Sequence, residues 1–171
     1  MPVSTVLNIH AHDRPGIMSR VSKVIKEANG NWLESRMARL AGQFAGIVRV
    51  ECETENLSTL KSALTSLADE GIHIQLLDRG DLSDHPYTRC LKIDIFGNDR
   101  PGIVSQLTQT VSAMGANIEE LNTTIESAPM AGHPVFHASG TVCLPDHMKD
   151  DSMISAIENL SDDLSVEIGG I

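Results

Sequence analysis

Aromatic side chains are almost missing from this sequence: three Phe, one Trp and one Tyr among 171 residues. A core without them has to be assembled from Ile, Leu, Val, Ala and Met. Basic charge is also short. Thirteen Lys and Arg against 23 Asp and Glu leave a net charge of −10, and no basic run occurs, which argues against a large phosphate-binding face. No apolar run approaches the roughly 18 residues of a membrane helix, and the N-terminus MPVSTVLNIH has no basic region ahead of an apolar segment, so neither a span nor a secretory signal is expected. Cysteine is scarce and odd in number. Cys52, Cys90 and Cys143 lie far apart, each in a strand-like run, and read as reduced thiols of a cytoplasmic protein. What remains is ordinary globular composition, with 41% apolar and 21% charged residues. The length suits one medium domain or two of about 85 residues.

The chain repeats itself. IHAHDRPGIMSRVSKVIKEANGNWLE (9–34) returns 86 residues later as IFGNDRPGIVSQLTQTVSAMGANIEE (95–120). Nine of the 26 positions are identical, five of them consecutive: Asp13-Arg14-Pro15-Gly16-Ile17 against Asp99-Arg100-Pro101-Gly102-Ile103. This is a duplicated domain. Each copy carries the same sequence of periods. Thr5, Leu7, Ile9 and Ala11 alternate with Val6, Asn8, His10 and His12 as in a half-buried strand, and from Pro15 the apolar residues Ile17, Val21, Val24, Ile25 and Ala28 fall at helical spacing until Asn29-Gly30. Two strands follow, joined by a turn at Ala41-Gly42-Gln43, then a helical stripe of Leu60, Leu64 and Leu67, then the strand IHIQLLD. In the second copy the pattern predicts strand 87–97, helix 101–114, strands near 117–126 and 135–144, helix near 150–161 and strand 163–168. Its hairpin connection SAPMAGHP is six residues longer, judged by matching Phe44 to Phe136. Residues 1–79 and 87–171 are the expected domains and 80–86 the linker. Each domain is β-α-β-β-α-β, the α+β ferredoxin-like layer of two helices on a four-stranded antiparallel sheet.

The stretch HAHDRPGI (10–17) admits three readings. H-x-H-x-D-H is a dinuclear metal signature, but Arg14 and Pro15 occupy the places that need Asp and His. His73, His85, His133, His137 and His147 form no second ligand pair, and the repeat replaces His10 and His12 by Phe96 and Asn98. No metal site is expected. As plain structure, Asp13 would cap a helix, Pro15 would take the first helical position, and Gly16 would permit unusual torsions. The third reading adds a ligand to that turn. A helix N-terminus offers unpaired N–H groups to a carboxylate, and Asp13 or Asp99 offers a counter-charge to an ammonium group. Those are the two charged groups of an α-amino acid.

The order β-α-β-β-α-β with DRPGI closing the first strand resembles the ACT domain, a regulatory module of amino-acid metabolism. Residues 13–50, with Asn31 and Glu34-Ser35-Arg36, run as that family's domain does. The tandem arrangement without an attached enzyme is similar to that of transcriptional repressors of the glycine cleavage system. This resemblance implies a small amino acid bound at Asp13, Arg14, Pro15, Gly16 and Ile17 and at Asp99, Arg100, Pro101, Gly102 and Ile103. Serine-binding relatives carry Asn in place of Asp13 and Asp99, and His in place of Ala11 and Gly97, departures that speak against serine; turns as tight as Ala11–Gly16 and Gly97–Gly102 suit a small ligand such as glycine. It also implies a homodimer, and control through a DNA-binding activator protein rather than by direct contact with nucleic acid or membrane. The alternative is a free-standing pair that docks on a metabolic enzyme and regulates it. No Ser/His/Asp or Cys/His signature appears, so no catalytic residue and no cofactor is expected. Arg14 and Arg100 read as solvated beside their turns, Trp32 and the methionines as packing, and DHMKDDS as a solvated helix start.

Overall fold

In the computed structural model the described residues are 1–77, 87, 89–127 and 132–169. The chain divides into two compact units. The first contains strands β1 (Pro2–His12), β2 (Asn31–Leu40), β3 (Gln43–Glu53) and β4 (Ile72–Leu77), with helices α1 (Ile17–Glu27) and α2 (Leu57–Ser66). The second contains β5 (Arg89–Asn98), β6 (Asn117–Ser127), β7 (Pro134–Leu144) and β8 (Ser165–Gly169), with α3 (Ile103–Ala113) and α4 (Asp150–Glu158). Their sheets run β2-β3-β1-β4 and β6-β7-β5-β8, antiparallel throughout. The expected tandem ferredoxin-like architecture is therefore present. The expected linker 80–86 lies outside the described residues.

The first strand of each unit is central. Leu7, Ile9 and Ala11 of β1 point into a core with Ile17, Val21 and Ile25 of α1, Leu60 and Leu64 of α2, and Val48 and Val50 of β3. The second core repeats this with Ile93 and Ile95, Ile103, Leu107 and Val111, Met153 and Ile157, and Phe136, Ala138 and Val142. Trp32 and Met37 pack against the first core, and Met114 and Met148 against the second, as expected of filler in an aromatic-poor interior. Met1 does not; it is 95% exposed.

The helices end alike. Asn29 takes φ 55 where the second unit uses Gly115 at φ 73. Gly30 N–H then reaches Ile25 O at 2.8 Å and Asn29 N–H reaches Lys26 O at 3.0 Å, while Ala116 and Gly115 reach Val111 and Ser112 at 3.2 and 2.9 Å. This is a Schellman closure, which supplies donors to the last carbonyls of the helix. Both units also bulge at one place, between Trp32 and Glu34 and between Ile118 and Glu120. Alternation alone predicted no such irregularity.

One sequence expectation fails here and another is extended. Cys90 and Cys143 are joined in a disulfide, with only Cys52 left free and buried. A separation of 53 positions in sequence hid a direct neighbourhood: antiparallel pairing of β5 with β7 sets Cys90 opposite Cys143. The segment around Asp150 is more than a solvated helix start, because Arg89 pairs with Asp150 and donates to Met148 O.

Close packing of β7 on β6 at Gly140 leaves no room for a side chain. A Cβ there would strike Glu120 O and stand 3.2 Å from Leu121 Cα, both backbone atoms of the paired strand. Gly140→Ala should destabilise the protein by about 1–3 kcal/mol, the usual range for overpacking. A lowered urea midpoint with retained ellipticity at zero denaturant would be the reading.

Candidate functional site

Each β-to-α turn is built from the end of the central strand and a hairpin beside it. Asp13 N–H donates to Gly42 O at 2.9 Å, and Asp99 N–H donates to Pro134 O at 3.2 Å. Pro15 and Pro101 fix the turn, and Gly16 and Gly102 follow with φ of 92° and 85°. Each glycine is the N-cap of its helix, accepting the first intrahelical bond from Arg20 or Gln106 at 2.9 or 3.0 Å. A Cβ at either glycine would meet nothing within 4 Å. The requirement is the left-handed torsion, which costs other residues about 1–2 kcal/mol.

The helix-cap reading of Asp13 and Asp99 is corrected by this geometry. Neither helix has a side-chain cap, because the glycine, three residues past the aspartate, occupies that place. The helices begin at Ile17 and Ile103, so Pro15 and Pro101 sit in the turn rather than at the first helical position. Asp13 forms an ion pair with Arg39 of β2 instead.

The arginines are likewise engaged. Arg14 Nη2 donates to Glu70 O at 2.5 Å, and Arg20 clamps the Glu70 carboxylate with Nε at 2.9 Å from Oε2 and Nη2 at 2.6 Å from Oε1. This bond, together with the nearby charge, holds the Glu70 carboxyl below its usual range and raises Arg20. In the second unit Arg100 Nη1 donates to Gln106 Oε1 at 2.6 Å. Its Nη2 is buried without a hydrogen-bond partner among the described residues. Asp163 stands nearby; it accepts from the Ser161 hydroxyl and, at 2.6 Å, from Asn98 N–H. These bonds, the Ser161 hydroxyl foremost, depress its carboxyl, helped by the Arg100 charge.

The two turns therefore share a backbone and differ in side chains. The position of Arg39 is held in the second unit by Ile125, which faces Phe136 in register as Arg39 faces Phe44. Gly97 takes the place of Ala11 because Leu164 fills that space: a Cβ would lie 2.5 Å from Leu164 Cδ2. Arg39, Glu70, Gln106 and Asp163 were missed by reading the sequence. Only the hairpin turn at Ala41-Gly42, which sets Leu40 opposite Gln43, could have pointed to Arg39.

His10 and His12 lie exposed on the sheet face away from the helices. His10 stacks on His73 with ring centroids 5.8 Å apart, beside a shallow cavity of about 290 Å³. His12 Nδ1 is 3.0 Å from Gln43 Nε2. In the second unit His137 stacks on Phe96 at 4.4 Å and pairs with Asp94 at 2.9 Å. Cys52 is unsuited to nucleophilic work, since burial pushes its thiol pKa up.

The family model described as the ACT domain matches residues 5–76 and 89–125. A crystal structure of an unknown protein from Galdieria sulphuraria is 31% identical, with a TM-score of 0.85, covering 100% of this chain and 99% of its own. A second crystal structure, of a candidate glycine cleavage system transcriptional repressor, is 16% identical with a TM-score of 0.70, covering 100% of this chain and 98% of its own. The latter likeness is one of fold. No curated protein sequence matches.

Two outcomes follow from the turns. Gly16→Ala and Gly102→Ala should each cost about 1–2 kcal/mol in urea denaturation, whereas Asp13→Ala should cost about 0–1 kcal/mol, as for an exposed ion pair. Acid should also destabilise the fold through Glu70 and Asp163. Their native pKa values lie below the ordinary 4.5 and 3.8, so the unfolded chain takes up protons first as pH falls. Their contribution is complete above the ordinary values and lost as pH drops through the native ones. Melting temperatures measured from about pH 5 down to about pH 2 should fall less steeply in the double variant Glu70→Gln, Asp163→Asn.

Proposed function

The chain belongs to the ACT domain family, and from that footing we propose that it is a non-catalytic amino-acid sensor that regulates transcription of the glycine cleavage system. The observation that carries this reading is the Asp-Arg-Pro-Gly-Ile turn, formed twice with one backbone geometry: glycine φ of 92° and 85°, and an aspartate N–H tied to the neighbouring hairpin. The core accounts for Ile17 and Ile103 but needs no such identity of the four residues before them in two copies. A ligand that reads backbone does.

The chemistry fits a small α-amino acid. Its carboxylate would face the first turn of the helix, where N–H groups have no intrahelical acceptor and the helix dipole is positive. Its ammonium group would face Asp13 or Asp99. Arg14 and Arg100 would flank the carboxylate side. Glycine is favoured because turns as tight as Ala11–Gly16 and Gly97–Gly102 suit a small ligand. The neighbour of TM-score 0.70, with its name from glycine cleavage control, supports the physiological assignment.

The output is proposed to pass through a DNA-binding activator, in a cytoplasmic homodimer of chains whose domains are residues 1–79 and 87–171. A charge of −10 is poorly suited to gripping DNA directly. Ligand control requires only that glycine bind one arrangement of the protein better than another.

Calorimetric titration with glycine, with serine and alanine as controls, tests the ligand step. Glycine should release or absorb heat with saturation, Asp99→Ala should weaken it at least tenfold, and absence of binding by all three amino acids would remove the sensing role. A promoter fragment that the chain alone retards in a gel would remove the activator.

A further inference from the structure

We propose that Cys90, Cys143 and Glu119 form a redox-gated site for a zinc-type divalent cation on the second unit, occupied when the cysteines are thiolates and emptied when they form their disulfide. The two sulfurs and a carboxylate oxygen lie within 4.8 Å of one another. They come from three adjacent strands, Glu119 from β6, Cys143 from β7 and Cys90 from β5, with Cys90 directly opposite Cys143. Glu119 is the residue at the bulge between Ile118 and Glu120, a device that re-aims a side chain.

The spacing is that of coordination. Glu119 Oε2 lies 3.7 Å from Cys143 Sγ. A disulfide sulfur has no proton to donate, so this contact is not itself a hydrogen bond. Tetrahedral zinc, with Zn–S of about 2.3 Å and Zn–O of about 2.1 Å, separates a sulfur from an oxygen ligand by about 3.6 Å and two sulfurs by about 3.8 Å. The oxygen already stands at that distance. The sulfurs part by rotation about Cα–Cβ once their bond is broken, and the carboxylate oxygen is already within 4.8 Å of both. Cys143 is buried, Cys90 half-buried and Glu119 exposed, so a fourth position opens to water beside Cys90 and Glu119. Two thiolates and one carboxylate select zinc over magnesium or calcium.

The first unit serves as an internal comparison. It has the same paired strands and the same bulge, yet Ser4 stands opposite Glu51 at the cysteine positions and Leu33 at the bulge. The fold therefore needs neither the thiols nor the carboxylate there. Disulfides inside cells are mostly transient or redox-sensing.

The switching step is thiol–disulfide exchange with a small disulfide such as oxidised glutathione. One cysteine thiolate attacks a glutathione sulfur and expels one glutathione thiolate. The other cysteine thiolate then attacks the mixed disulfide, expels the second and closes the Cys90–Cys143 bond. Two electrons pass from the cysteines to the glutathione disulfide, and zinc leaves with water in place of its sulfur ligands.

Zinc chloride should be titrated into the full chain, fully reduced or oxidised, in competition with a chromophoric chelator. The reduced chain should take up one zinc, and the oxidised chain none. Cys90→Ser and Cys143→Ser should each abolish uptake, Glu119→Gln should weaken it at least tenfold, and Cys52→Ser should leave it unchanged. Cobalt in place of zinc should give sulfur-to-metal absorption that oxidised glutathione abolishes. Circular dichroism of each variant separates a lost ligand from a lost fold, and Cys90→Ser, at the less buried position, reads the site if Cys143→Ser misfolds. No uptake by the reduced chain, equal uptake by the oxidised chain, or uptake that survives in a folded Cys90→Ser variant would overturn the proposal.

Discussion

Pairing of one strand on both its edges organises each half of this protein. β1 hydrogen-bonds to β3 on one side and β4 on the other, and β5 does the same with β7 and β8. A strand held twice has no freedom of register, and a shift by one residue would turn Leu7, Ile9 and Ala11 out of the core. Where the strand stops is therefore fixed by its neighbours. The chain must leave at Asp13 or Asp99, turn at once, and start a helix whose first apolar residue already belongs to the core. Glycine in the left-handed region makes that possible in so few residues.

The turn is thus an end product of sheet pairing rather than a loop added to it. Its backbone donors are aimed by the strand and the hairpin beside it, so the proposed ligand would leave little to be ordered on binding. The side chains around it are free to diverge, and they have. Asp13 meets Arg39, while the second unit has Ile125 at the corresponding place; Arg14 reaches a backbone carbonyl, while Arg100 meets Gln106. Two copies of one backbone can in this way present different charge to solvent without any change of fold.

Duplication made the architecture legible. Each period change appears twice, so a boundary in one copy is checked by the other, and the first helix of each is marked by Ile17, Val21 and Ile25 answered by Ile103, Leu107 and Val111. The side-chain partners were not legible, because they depend on register between strands far apart in sequence. Cys90 and Cys143 share no local signal and become neighbours only through β5 and β7. Asp13 looked like a cap because Asp precedes a helix; that the glycine three residues on takes the capping place is a matter of turn geometry. The bulges were invisible for another reason. Trp32-Leu33-Glu34 and Ile118-Glu119-Glu120 have no glycine or proline to announce a break.

Those bulges bear on how such a protein stays in solution. Among the described residues each sheet has two edge strands, and an unpaired edge is a template on which another chain can add a strand. On one side the edge strands β4 and β8 are only six and five residues long. On the other, β2 and β6 are longer, ten and eleven residues, and each carries an irregular step early in its run. A kinked edge offers an incoming strand only a broken ladder of donors and acceptors. The defect kept in both copies, under quite different side chains, thus acts as protection against runaway strand addition.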